Sequence, residues 1–217
     1  VDYVFAAKQP IELYSDADLL GVFFVESYKR TAERHYSVKT EDYIGLLDRV
    51  IFAGGVYSGQ NAYALLTAIF DAASIPFSMA LGLQSATISG WIPICTGREA
   101  LTQICFAIGA VADTAGRDCV EVFALSDTVA HDFSLAETMI GQSFSDSEKL
   151  TEVRLTEHTY AASTEAVKAY KAADSGTGNS IYVKFSEPLH SRTITSGTII
   201  ESGANYAIIN ASVGCVL

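Results

Sequence analysis

Basic side chains are scarce in this sequence. Lys and Arg number 14 against 25 Asp and Glu, a formal net charge of −11 over 217 residues. Binding to a phosphate backbone draws on clustered cations that release counterions, so specific nucleic-acid binding is not expected. The acidic balance suits plain solubility, or the wall of a channel past which DNA slides without sticking. Long apolar runs are missing too. Although 49% of the residues are hydrophobic, no uninterrupted stretch reaches the roughly 18 residues that a membrane-spanning helix needs, and no membrane partner is expected. The chain opens on Val1 in the run VDYVFAA, with no Met, no basic n-region and no cleavage site. No signal peptide is visible there, and the start reads as a piece of something longer.

The chemistry-bearing residue types are equally thin. Cys95, Cys105, Cys119 and Cys215 form no CxxC pair and no zinc-type spacing with histidine, so they read as small buried hydrophobes in a reducing compartment. If the stretch between Cys95 and Cys105 is helical, the two lie roughly 15 Å apart, too far for a disulfide. The four histidines, His35, His131, His158 and His190, fall one per segment. None completes a metal motif, and His35 and His158 stand beside tyrosines in strand-like runs as structural residues do.

GGVYSGQ and GTGN are glycine-rich but match neither a P-loop nor a dinucleotide fingerprint. There is no GxSxG elbow to expose a nucleophilic serine. A carboxylate pair for glycoside cleavage can be drawn from Glu41, Asp42, Asp48 and Glu187, but in an acidic chain abundance is not evidence. Arg98 beside a helix start could clamp an anion, yet solvation at the surface is the simpler reading. No catalytic, cofactor-binding or metal-ligating residue is therefore assigned, and a non-enzymatic protein is expected.

What is present points to an α+β fold. IELYSD and GVFFVESYKR are strand-like, and a polar turn around Arg30 and Thr31 separates the second from AERHYSVKTEDY, predicting a hairpin. In EDYIGLLDRVI the residues Tyr43, Leu46, Leu47 and Val50 recur at helical spacing, and the glycine pair of FAGGVYSG would end that helix. Ser58 or Asn61 can cap NAYALLTAIFDAA, whose Leu65, Leu66, Ile69 and Phe70 make one stripe, with Pro76 closing the helix. SMALGLQSATISGWIPI then reads as extended chain.

The dense segment CTGREALTQIC resolves into a helix start. Thr96 followed by Glu99 is a capping box. Ala100, Leu101, Ile104, Cys105 and Ile108 share one face through about Val111, while Phe106 and Ala107 on the other side predict packing on more than one face. RDCVEVFALS reads as a strand.

Two domains are expected: a mixed one over 1–126 with two to three helices, and a β-rich one over 149–217. A polar, Ser-rich linker over 127–148 joins them. In the second, KLTEVRLTEHTYA, EAVKAYKA, NSIYVKFSEPL, SRTITSG, TIIESG and ANYAIINASV come as short runs divided by Gly, Ser and Pro, which predicts a sandwich or small barrel. The last run ends as though a further strand should follow.

Three blocks in order carry a resemblance: EDYIGLLDRVIFAGGVYSG; SGWIPICTGREALTQICFAIGAVADT; and VRLTEHTYAASTEAVKAYKA with VKFSEPLHS and GTIIESGANYAIIN. Together they are similar to the tail hub, or baseplate-hub-like, proteins of tailed phages and of prophages in Gram-positive bacteria. The resemblance implies a virion structural protein, made in the bacterial cytoplasm. It would sit near the tail tip with other tail proteins, in a ring, as a rule a trimer, around the DNA channel. It carries over no active-site residue. The competing expectation is a surface module that binds carbohydrate or a receptor, since small β-domains with SGTGNS-type loops and 11 tyrosines offer such surfaces.

Overall fold

The computed structural model describes residues 4–126, 128, 152, 154, 156 and 160–217. The linker expected over 127–148 lies outside the described residues except for Thr128, as do His131 and His158. The architecture is mixed α+β, built from several small sheets.

Strands β1 (Pro10–Ser15), β2 (Asp18–Ala32) and β3 (His35–Glu41) form an antiparallel sheet in the order β1-β2-β3. The hairpin expected between the last two is present, but its turn falls at Glu33 and Arg34, with Ala32 paired to His35. Arg30 and Thr31 are still in the strand. The displacement has a simple cause. Where both faces of a hairpin meet water, polar side chains do not interrupt the ladder, so polarity marks exposure there and not a turn.

Helix α1 (Tyr43–Leu46) is capped by Asp42, whose Oδ1 accepts from the Gly45 amide at 2.8 Å. It runs into a 3-10 turn over Leu47–Arg49 and ends there, before the glycine pair expected to stop it. Val50 turns extended because the chain pairs with a later segment: strand β4 (Ile51–Phe52) lies against β8 (Cys95–Thr96), and the Gly97 amide donates to the Val50 carbonyl at 2.8 Å.

Strand β5 (Gly55–Asn61) leads into helix α2 (Ala62–Ala73), and of the two candidates it is Asn61 that caps, accepting from the Ala64 amide at 2.9 Å. Ser74 closes the helix in the left-handed conformation, two residues ahead of Pro76. The stretch read as extended divides into β6 (Phe77–Met79), a 3-10 turn over Leu81–Leu83, and β7 (Thr87–Ile92), which pairs antiparallel with β5.

Helix α3 (Gly97–Ile108) carries the complete capping box. Thr96 Oγ1 accepts from the Glu99 amide at 3.2 Å and Glu99 Oε2 accepts from the Thr96 amide at 2.9 Å. The helix stops at Gly109 in the left-handed conformation, short of Val111, because the chain from Ala110 is needed as a strand. That strand, β9 (Ala110–Asp113), pairs antiparallel with β10 (Val120–Ala124), which pairs in parallel with β6.

These pieces share one core. Leu66, Ile69 and Phe70 of α2 meet Ala100, Leu101, Ile104 and Cys105 of α3, closed by Leu47, Met79, Ile88, Ile92, Val120 and Val122. Each fully buried Leu, Ile, Val or Phe is worth about 1.5–3 kcal/mol against leaving it in water, so this cluster dominates the folding energy of the region. Only one face of α3 takes part. Phe106 is 75% exposed and Ala107 is exposed as well, contrary to the expectation of packing on more than one face.

A second core lies toward the C-terminus. Where a sandwich or small barrel was expected, the described residues form one three-stranded antiparallel sheet. Its strands are β11 (Gly178–Lys184), β12 (Gly197–Ser202) and β13 (Tyr206–Ala211), with β13 in the centre. EAVKAYKA supplies no strand but an isolated bridge from Lys171 to Val216 and the start of the short helix α4 (Ala172–Ser175). SRTITSG likewise contributes no strand before Gly197. The last residues return over the sheet: Leu217 exchanges backbone bonds with Tyr170, and Tyr170, Val183, Phe185, Ile209, Cys215 and Leu217 bury together.

Candidate functional site

The carboxylates weighed for catalysis are spread among structural contacts. Asp42 caps α1 with one oxygen and accepts from Thr114 Oγ1 at 3.0 Å with the other. Glu41 pairs with Arg49, and Asp48 with Arg98 at 3.0 Å, which places Arg98 in a surface ion pair rather than at an anion clamp. Glu187 is exposed in the segment after β11, in the other core's neighbourhood. His35 is exposed at the start of β3, while His190 bonds through its ring nitrogens to Ser191 Oγ and the Ser163 carbonyl, at 2.9 and 3.1 Å. Glu41 and Asp42 both lie beside Gly45, each held in its structural contact.

The glycine-rich runs have backbone work. Gly54 sits at φ +63°, and a Cβ there would lie 2.1 Å from the Ile92 carbonyl oxygen, so only glycine lets β4 and β5 pass this close to β7. In GTGN, Gly176 ends α4 and Gly178 begins β11. Two of the cysteines are not poised as nucleophiles: burial pushes the Cys105 thiol up to about 11, and burial with the nearby Glu99 carboxylate raises Cys95. Among the described residues no group of three or more His, Cys, Asp or Glu side chains is arranged to hold a metal ion, and no helix is long and apolar enough to cross a membrane.

Sequence reasoning missed two features. The first is a polar node between distant segments. Asn205, 3% exposed, donates through Nδ2 to the carbonyls of Ala53 and Ile92, both at 2.9 Å, and its Oδ1 accepts from Trp91 Nε1 at 2.7 Å. Beside it, Tyr57, Ile88, Gly90, Trp91, Gln103 and Ala107 line a shallow cavity of about 120 Å³, and a Cβ on Gly90 would meet nothing within 4 Å. Burial raises the pKa of the Tyr57 phenol, with the neighbouring Cys95 adding to it.

The second is the outer half of the β2–β3 hairpin. Glu26–Ala32 are all exposed, and opposite them only Tyr36 and Val38 are half-buried. The inner half is anchored: Phe24 packs edge-on to Tyr43 at 4.9 Å, and the Gly116 amide donates to the Leu20 carbonyl at 2.9 Å. Beyond Val25 the strand runs on for seven residues, about 20 Å at the usual strand rise, none of which belongs to either core. Among the described residues, backbone bonds from β1 and the chain before it follow the far edge of β2 as far as Val25, whose amide and carbonyl bond to Gln9 and Lys8. Past that point Phe5 lies over Tyr28 and Tyr36, with ring centroids 5.3 and 5.7 Å apart.

Aromatic side chains held in water on a projecting, sheet-edged element are what protein interfaces are made from. No family model, no curated protein and no solved structure matches the chain.

Proposed function

We propose that the chain is a non-catalytic structural component of a phage-like tail tip or baseplate hub, which works by self-association into a ring and by contact with other tail proteins. The single observation that carries this reading is the exposed outer half of the β2–β3 hairpin, whose residues enter neither of the two cores. The ordered blocks resembling tail-hub proteins support it, and two of them, covering α1 to β5 and β7 to β9, supply much of one core. The acidic balance suits a ring whose channel passes DNA without holding it. Virion location follows from this reading. The test is solution mass together with negative-stain images, with and without tail-tube and tape-measure proteins from the same genome. Rings are expected; a strict monomer at high concentration that joins no tail assembly refutes the proposal.

A second reading, a carbohydrate- or receptor-binding surface, draws on one specific observation. Tyr182, 54% exposed, stacks on Tyr206 at 5.4 Å and 16°, and the Tyr206 hydroxyl donates to Glu201. A flat aromatic pair beside a carboxylate is a surface on which a sugar ring can lie. Glycan-array binding that disappears in Tyr182→Ala would favour it.

A further inference from the structure

The β1-β2-β3 sheet is electrically polarised along its length. In the outer hairpin, between residues 26 and 39, Lys29, Arg30, Arg34 and Lys39 stand with two acids, Glu26 and Glu33. Lys39 pairs with Glu26 at 2.8 Å, while Lys29 and Arg34 form no ion pair among the described residues. This cluster sits in a chain whose overall charge is −11.

The opposite end of the sheet has the other sign. Glu12, Asp16 and Asp18 surround the β1–β2 turn, and residues 9–20 hold no Lys or Arg. The loop before β10 is tied alongside by the bond from Gly116 to Leu20, and it adds the exposed Asp118. Arg117 in that loop is taken up by Asp113 and Glu121. Strand β2 joins the two ends without a break from Asp18 to Ala32, a separation of about 45 Å at the usual rise per residue. The two ends are too far apart to neutralise each other, since the separation is several Debye lengths at physiological salt.

We propose that the basic, aromatic outer hairpin of one copy docks on the acidic β1–β2 end of a second copy of this chain. The inference rests on the assembly reading above and names the contact that would build it. Its ground is the complementarity of the two ends. Opposite charges steer the encounter and fix its register, and Tyr28 with Tyr36 gives the contact an apolar centre. The two surfaces differ, so the contact is head-to-tail. It closes into a ring when the rotation between copies allows, and otherwise runs on as a filament.

The test is sedimentation velocity on the 217-residue chain at low salt and at about 0.5 M salt, where screening reaches nearly to contact distance. Association at low salt is expected to weaken at high salt. Lys29→Glu with Arg34→Glu, all at exposed positions, is expected to weaken it about tenfold or more, and so is Asp18→Lys with Asp118→Lys. Circular dichroism checks that each variant is folded. The decisive step is restoration: an equimolar mixture of the two charge-reversed proteins forms mixed pairs, and one chain carrying all four changes regains association with itself. Association that ignores every reversal, or that is not restored by the complementary one, overturns the docking assignment but leaves the assembly reading standing. A monomer under all these conditions overturns both.

Discussion

Cys105 illustrates how little of this chain's apparent chemistry is reactive. It lies on the core face of α3 beside Leu101 and Ile104, and burial lifts its pKa from an ordinary 9.0 to about 11. The thiolate is therefore disfavoured in the folded state relative to the unfolded chain. The sign follows: the contribution to stability is complete below pH 9, and it is lost as pH rises through 9 toward 11. Unfolding midpoints measured across that window should fall more steeply in the wild type than in Cys105→Ala. Tyr57 and Cys95, also raised by burial, remain in both proteins, so the difference between the curves isolates Cys105. Parallel curves would mean that the thiol is hydrated in the native state.

At the scale of the element, α3 separates what a sequence shows from what it hides. Its start is written in two residues three apart, and a local pair like this is legible because the helix itself brings the partners together. Glu99→Gln should cost less than about 0.5 kcal/mol, since an amide oxygen also fits the box. Ile104→Asp, at a site with 0% exposure, should leave the chain unfolded, because burying a lone carboxylate costs several kcal/mol against a total stability of about 5–15. Phe106→Ser, two residues on, should change stability by no more than about 0.5 kcal/mol. Thermal unfolding of the three proteins checks the set, and a folded, soluble Ile104→Asp protein would refute the buried-helix assignment. Phe106 shows where the reading from hydrophobicity fails. An apolar side chain on the far face looks like a second packing surface in sequence, yet whether anything covers it depends on elements distant in the chain. The β2–β3 hairpin fails in the mirror sense: its charged residues read as a turn, and the full exposure of its outer half was invisible because exposure is a property of the assembled fold.

Across the whole molecule, two hydrophobic clusters communicate through Asn205. Its partners Ile92 and Ala53 are 113 and 152 residues away in sequence, so no local pattern could announce the contact. The node is fully occupied, with two carbonyls accepting and one indole N–H donating. Truncation therefore strands three groups at once. At about 1–3 kcal/mol for each buried polar group left without a partner, and with some relief from entering water, Asn205→Ala should lose about 3 kcal/mol. Trp91 is the chain's single tryptophan, so its fluorescence reports on this contact together with its edge-on packing against Tyr160, ring centroids 6.2 Å apart. Asn205→Ala should shift the emission to the red, and calorimetry should split one cooperative transition into two as the clusters lose their shared bond. Asn205→Asp provides the sharper comparison. Its carboxylate still accepts from Trp91 but faces the Ala53 and Ile92 carbonyls with no proton to give, so emission should stay close to wild type while stability falls at least as far as in the alanine variant. Equal stability for Asn205→Asp and the wild type would show that the two donated bonds hold nothing together.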